Sequence, residues 1–209
     1  MKSLNHYIIE NEISTLNESL LSKLTGWFKD LFKSQETLED KTLKVDVKNL
    51  KSPDKPTKLK DIENNKEEMK LLNDPKVGFP TTSMLINQKN KYLTYEDAEG
   101  NSKEFDPLVN RYFYIEGNNK YDVGIIMYDD HIKNDNNYVN IINIEVINQI
   151  ENKQEVMKLM HNIFEETMKK NNFKGSQYII KHPNIKGTLI QLQYTSENNN
   201  KDILFKNFK

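Results

Sequence analysis

Apolar residues at Leu16, Leu20, Leu24, Trp27 and Leu31 recur at spacings of three and four, and Leu21, Phe28 and Phe32 widen the stripe. The pattern predicts an amphipathic helix near the start of the chain. Over residues 34–61 polar residues dominate and Pro53 and Pro56 interrupt the chain, which predicts a linker, or a short strand where Leu43, Val45 and Val47 alternate. A helix is expected from residue 57 or 60 to residue 73, stopped by Asp74-Pro75. After Phe79-Pro80 the signals become mostly β, with a strand candidate at 92–95 before a polar turn at 97–101. The runs 111–116 and 121–128 are strands joined by Gly117-Asn118-Asn119-Lys120, the signature of a tight hairpin. A polar turn at 129–137 leads to a third strand at 138–147. Val156, Leu159, Met160, Ile163, Phe164 and Met168 then lie at helical spacing, which predicts a helix over 153–170. A strand at 177–181, a turn at His182-Pro183-Asn184, a segment at 189–194 readable as helix or strand, and a last strand at 203–208 complete the pattern.

Aromatic residues divide the chain more sharply than charge does. None occurs over residues 33–78, and 16 of the 20 lie from Phe79 onward, so the packed core is expected in the C-terminal part. The organisation read from this is a helical arm at 1–33, a polar lysine-rich linker at 34–56 and an α+β domain at 57–209. At 209 residues the chain has room for one domain with attachments.

Composition removes several kinds of chemistry. There is no cysteine, so thiol nucleophiles, disulfides and thiolate metal sites are excluded. No apolar run approaches the roughly 20 residues of a bilayer span, and the first residues do not fit a secretory leader, so a cytoplasmic place, or a particle assembled there, is expected. The formal charge is -1, yet seven lysines lie between Lys41 and Lys60 against Asp46 and Asp54. Point charges of this kind suffice for non-specific phosphate contact. With a single arginine in the chain, Arg111, and no aromatic among these lysines, sequence-specific nucleic-acid binding is not expected and a solvated linker is the preferred reading.

Asp129-Asp130-His131 with Asp135 offers metal-ligand chemistry, but it falls in an Asn-rich segment between strands where such residues favour turning. His6, His161 and His182 are scattered, with no partner at ligand spacing such as i, i+4, and no metal site is read. No Gly-x-Ser-x-Gly nucleophile motif is present.

The order hairpin, third strand, helix, strand, short helix and final strand resembles the C-terminal half of the GNAT (Gcn5-related N-acetyltransferase) fold. The resemblance implies a mixed, mainly antiparallel sheet flanked by helices, and acetyl-CoA as the cofactor. In that family a valine ends the central strand and a Gly-rich turn opens the long helix, where free backbone N–H groups meet the pyrophosphate. Here Ile144-Glu145-Val146 ends the strand, and Glu151, Asn152, Lys153, Gln154, Glu155 and Val156 stand where the turn should be. Val146, Lys153, Gln154 and Asn184 are the implied cofactor contacts. Asn152, Gln154 and Val156 take the places of small residues, and Glu151 and Glu155 add negative charge, so only Lys153 favours an anion.

Alternation puts Val139, Ile141, Asn143 and Glu145 on one face of the third strand. Read from the residues, Glu145 is a strand-end acid facing water; the resemblance implies a general base that deprotonates the attacking amine. The family's usual acid is a tyrosine some seven residues after an Asn; from Asn184 that place is Gln191, and Tyr194 three residues on is the nearest candidate.

The opening Met1-Lys2-Ser3-Leu4-Asn5-His6-Tyr7-Ile8, with Gly26-Trp27-Phe28-Lys29-Asp30-Leu31-Phe32 further on, is similar to the N-termini of virion-associated proteins of tailed bacteriophages. That resemblance implies a segment that packs a protein into a capsid or tail, with the 16–32 helix docking to a protein partner. Two functions follow as expectations: an acyl-CoA-dependent N-acyltransferase, or a non-catalytic virion or assembly protein on the same fold.

Overall fold

The computed structural model describes residues 42–52, 55–74, 78–96, 99–131, 137–179, 183–197 and 200–208, all within one unit, Lys41–Lys209. The arm at 1–33 and its 16–32 helix lie outside the described residues. In chain order the strands are β1 (Leu50–Lys51), β2 (Thr57–Lys58), β3 (Thr94–Glu96), β4 (Ser102–Glu104), β5 (Leu108–Glu116), β6 (Asn119–Asp129), β7 (Tyr138–Val146), β8 (Gly175–Ile179), β9 (Thr195–Glu197) and β10 (Asn200–Asn207). The helices are α1 (Leu59–Asn64), α2 (Lys66–Leu72), α3 (Pro80–Asn87), α4 (Lys89–Tyr92), α5 (Lys153–Lys170) and α6 (Pro183–Gln191).

The main sheet runs β1-β5-β6-β7-β8-β10-β9, with β2 also paired to β5, and β3 and β4 form a separate two-stranded sheet. Every pairing in the main sheet is antiparallel except β7 with β8. The protein is therefore an α+β structure with a mixed, mostly antiparallel sheet flanked by helices.

The β5–β6 hairpin forms where the Gly-Asn signal predicts it. Glu116 faces Asn119, and Gly117 takes the positive φ of 59° that a two-residue turn with glycine first demands. Arg111, Ile125 and Glu145 lie directly across from one another, so they share one face, over which Arg111 pairs with Glu68 of α2 and Glu145 meets α3. Tyr112, Gly124 and Val146 share the other face, which α5 covers. A Cβ on Gly124 would sit 2.3 Å from Met160 Sδ, so the bare backbone there is what lets α5 lie down. Covered on both sides, β7 is buried along nearly its whole length, as a central strand between helices must be.

The α5 periodicity is as predicted: Val156, Met160, Phe164 and Met168 are buried at four-residue intervals, while Leu159 and Ile163 are half-buried at the margin. Four sequence readings need correction. The helix expected as one piece to residue 73 is two, because Asn65 is extended (φ -100°, ψ 105°) and its side chain accepts from Glu67 N and Glu68 N, capping α2. The β-type segment after Phe79 is the helix α3, with Pro80 at its first turn. Residues 42–52 pack against the domain: Val45 and Leu50 are buried, Val47–Asn49 makes a short 3-10 turn, and Leu50 faces Tyr114. Strict alternation in β7 also fails, because the register shifts at Ile142: Asn143 faces Met127 but Ile141 faces Tyr128.

Candidate functional site

Two neighbouring features define the candidate site: the place where β7 and β8 part, and the turn from β7 into α5. The parallel pairing of β7 and β8 covers only Tyr138 to Asn140 against Gly175 to Gln177. Beyond it β7 runs on through Val146 with no β8 partner among the described residues. Gln177 Nε2 donates to Asn140 Oδ1 at 2.5 Å where the two strands part.

The turn is lined by the chain's own residues 42–45. Leu43 N donates to Gln149 O (2.7 Å) and Glu151 N donates to Leu43 O (3.0 Å), a parallel bridge centred on Ile150. Asn152 completes it with its amide, accepting from Val45 N at 3.1 Å and donating to Val45 O at 3.0 Å. Thr42 Oγ1 donates to Glu151 Oε1 at 2.8 Å. Of the residues named from sequence, Val146 is buried in the strand, Lys153 donates to Asn148 Oδ1 at 2.8 Å, and Gln154 is exposed. Asn184 lies in the first turn of α6. Lys153 and Gln154 stand together at the start of α5. The backbone segment that would meet an anion there is bridged at Glu151 and flanked by the Glu155 carboxylate, which accepts from Asn152 Nδ2 at 2.8 Å.

Glu145 does not face water; it is 9% exposed and caps α3 from across the sheet. Its Oε1 accepts from Thr81 N, and its Oε2 from Thr82 N and Thr82 Oγ1, each at 2.8 Å. Asn143 Nδ2 bonds Thr82 Oγ1 at 2.9 Å. The positive end of the helix and two of its orphan N–H groups thus stabilise a buried carboxylate.

Tyr194 is buried in a second polar cluster under α5. Its hydroxyl lies 2.8 Å from His161 Nε2 and 2.5 Å from Ser176 Oγ. His161 Nδ1 is 3.0 Å from Glu165 Oε1, which also pairs with Lys206 Nζ at 2.6 Å. A neutral imidazole carrying its proton on Nδ1 lets Tyr194 donate to Nε2 and Ser176 donate to Tyr194, and places the Nδ1 proton beside the Glu165 carboxylate without an aligned hydrogen bond; this tautomer is assigned from the contacts. Burial pushes the Tyr194 hydroxyl well above its ordinary range, and Ser176 opposes that only in part. Burial lowers the His161 pKa against the pull of Glu165. Burial raises that of Glu165, but His161 and Lys206 outweigh it and hold the carboxyl below its usual value. His161, Ser176 and Tyr194 are buried, so the inner part of the cluster belongs to the core, and only Glu165 and Lys206 at its edge reach solvent in part.

The histidine reading is corrected here, since Glu165 is a partner of His161 at i+4, a spacing visible in the sequence. Tyr194, Ser176 and Lys206 come from other elements and carry no local signal. Asp129 ends β6 and its carboxylate is used in local bonds, accepting from Asp106 N at 2.9 Å and from His131 N at 2.8 Å, while Asp135 lies outside the described residues. Among the described residues no group of three or more His, Asp or Glu side chains is placed to hold a metal ion, and no helix is long and apolar enough to cross a membrane.

The network makes stability depend on pH in a defined direction. The folded-state pKa of His161 lies below its ordinary 6.5, so the unfolded chain takes up that proton first. Stability is then full above about pH 6.5 and falls as the pH drops through the depressed value. The loss from Glu165 is added only below its ordinary 4.5. Thermal melts across the weakly acidic range should show this decline in the wild type and a flatter profile in His161→Gln; equal slopes would show that His161 is not the titrating group.

The fold and these two clusters define an α+β protein whose central strand ends at a bridged turn. No protein-family model matches the chain, and no curated protein matches it.

Proposed function

We propose that this chain is a non-catalytic protein on a GNAT-like architecture, a virion or assembly component whose N-terminal arm docks to a protein partner. The observation that carries the reading is the turn before α5, where Glu151 N is already bonded to Leu43 O, the side chain of Asn152 is tied to Val45, and the Glu151 and Glu155 carboxylates flank the helix start that an acyl-CoA pyrophosphate would approach. The state of the two candidate catalytic groups supports it. Both oxygens of Glu145 are engaged in capping α3, and Tyr194 has its hydroxyl inside the core. The architecture is supported by the sheet order and by the parting of β7 from β8 beside the turn. The docking role rests on the sequence of the arm.

The parting of the strands also favours a second reading, an N-acyltransferase that uses acetyl-CoA with Glu145 as base and Lys153 at the phosphates. Calorimetric titration with acetyl-CoA separates the two. No heat is expected at high ligand concentration. Micromolar binding that disappears in Lys153→Glu would overturn the non-catalytic reading.

A further inference from the structure

We propose that the rim of the sheet formed by residues 44–52 and 55–58 is a non-specific binding surface for the phosphate backbone of a nucleic acid. The proposal starts from a charge separation. Residues 41–60 carry seven lysines against two aspartates, a local charge of +5 in a chain whose total is -1. Such asymmetry is the electrostatic footprint of a polyanion site when the fold lays it along one line.

The fold does so. Leu50 and Lys51 pair with Tyr114 and Phe113, and Thr57 and Lys58 pair with Val109 and Leu108, so both stretches lie along the free side of β5. From Lys51 to Lys58 they span five residue steps of β5, about 17 Å, which matches about five phosphates of one strand of a duplex. Lys44, Lys48, Lys51, Lys55 and Lys58 are all exposed, and none is in an ion pair with another described residue. Three lysines elsewhere are held, Lys89 by Glu63, Lys169 by Glu166 and Lys206 by Glu165, and the exposed Lys158, Lys170 and Lys174 are not gathered in one short run as the rim lysines are. Asp46, the one acid among the described residues of this rim, accepts from Lys48 N to close the 3-10 turn.

The side chains present decide the class of partner. Lysine is a point charge without the planar fork that reads bases, and Arg111 is taken up by Glu68 and Asp122, so binding should ignore sequence. A membrane surface is disfavoured, because among the described residues only Ile115 and Ile190 are large, apolar and exposed. Among the described residues no amphipathic helix lies on the rim to insert.

The test is fluorescence anisotropy of the full chain with a labelled single strand and with its duplex, at salt from roughly 50 to 200 mM. Three to five phosphate contacts predict that duplex affinity falls roughly 40- to 500-fold over that range. Lys51→Gln/Lys55→Gln/Lys58→Gln should lower the log–log salt slope by about 3. A control triple at Lys158, Lys170 and Lys174, exposed on and just after α5, should leave binding unchanged. The tighter of the two nucleic acids identifies the natural form. Binding that is insensitive to salt, or equal in the rim variant and the wild type, would overturn the proposal. So would lysine-dependent binding to phosphatidylserine vesicles with none to either nucleic acid.

Discussion

Replacing Phe164 by alanine is expected to destabilise the folded protein by about 3 to 5 kcal/mol, the range of a large-to-small change in a closed core. Phe164 is fully buried on α5, with its ring edge-on to Tyr128 at 5.0 Å between centroids. Neighbouring positions leave little freedom to fill the hole. Met160 is fixed over Gly124, and Tyr128 is anchored in a strand paired on both sides. For a domain of this size the melting temperature should fall by about 10 °C. Ile163→Ala, half-buried on the same helix, is the comparison and should cost clearly less. Equal losses at the two positions, measured by denaturant melts, would mean that the core face of α5 is misassigned.

The second large effect is expected at Glu145. Its removal in Glu145→Ala leaves Thr81 N, Thr82 N and Thr82 Oγ1 without their acceptor in a buried place, at a cost of about 3 kcal/mol. Glu145→Gln should recover only part of this, because the amide keeps one acceptor but turns N–H groups toward donors. Faster hydrogen exchange at the Thr81 and Thr82 amides should localise the damage to the start of α3. A catalytic base with no structural duty would behave otherwise, losing activity at unchanged stability. An unaltered melting temperature in Glu145→Ala would therefore argue for the acyltransferase reading.

These expectations rest unequally on sequence and on fold. The α5 face was legible because Val156, Met160, Phe164 and Met168 repeat at the period of the helix itself, whatever the helix packs against. The hairpin was legible because a two-residue turn demands glycine or asparagine locally. The pair His161 and Glu165 was equally open to view, four residues apart on that helix.

The helix α3 was not legible. Pro80, Thr81, Thr82 and Ser83 have little helical preference, and the group that caps them, Glu145, is 63 and 64 residues away from Thr82 and Thr81. The same distance in sequence hid the bridge between Leu43 and Ile150, which turned an expected linker into part of the candidate site. The lysines of that segment were visible as a run, but whether they dangle or line a rim depended on the register of Lys51 and Lys58 against β5. By itself the sequence determined the elements whose signal repeats within a turn or two of the chain, and the α+β class those elements imply. Only the tertiary structure decided which buried acid caps which helix, how the β7–α5 turn is filled, and where Tyr194 points. Hydrogen bonds and burial between residues far apart in the chain are set by the register of the whole sheet, and that register has no local period to read.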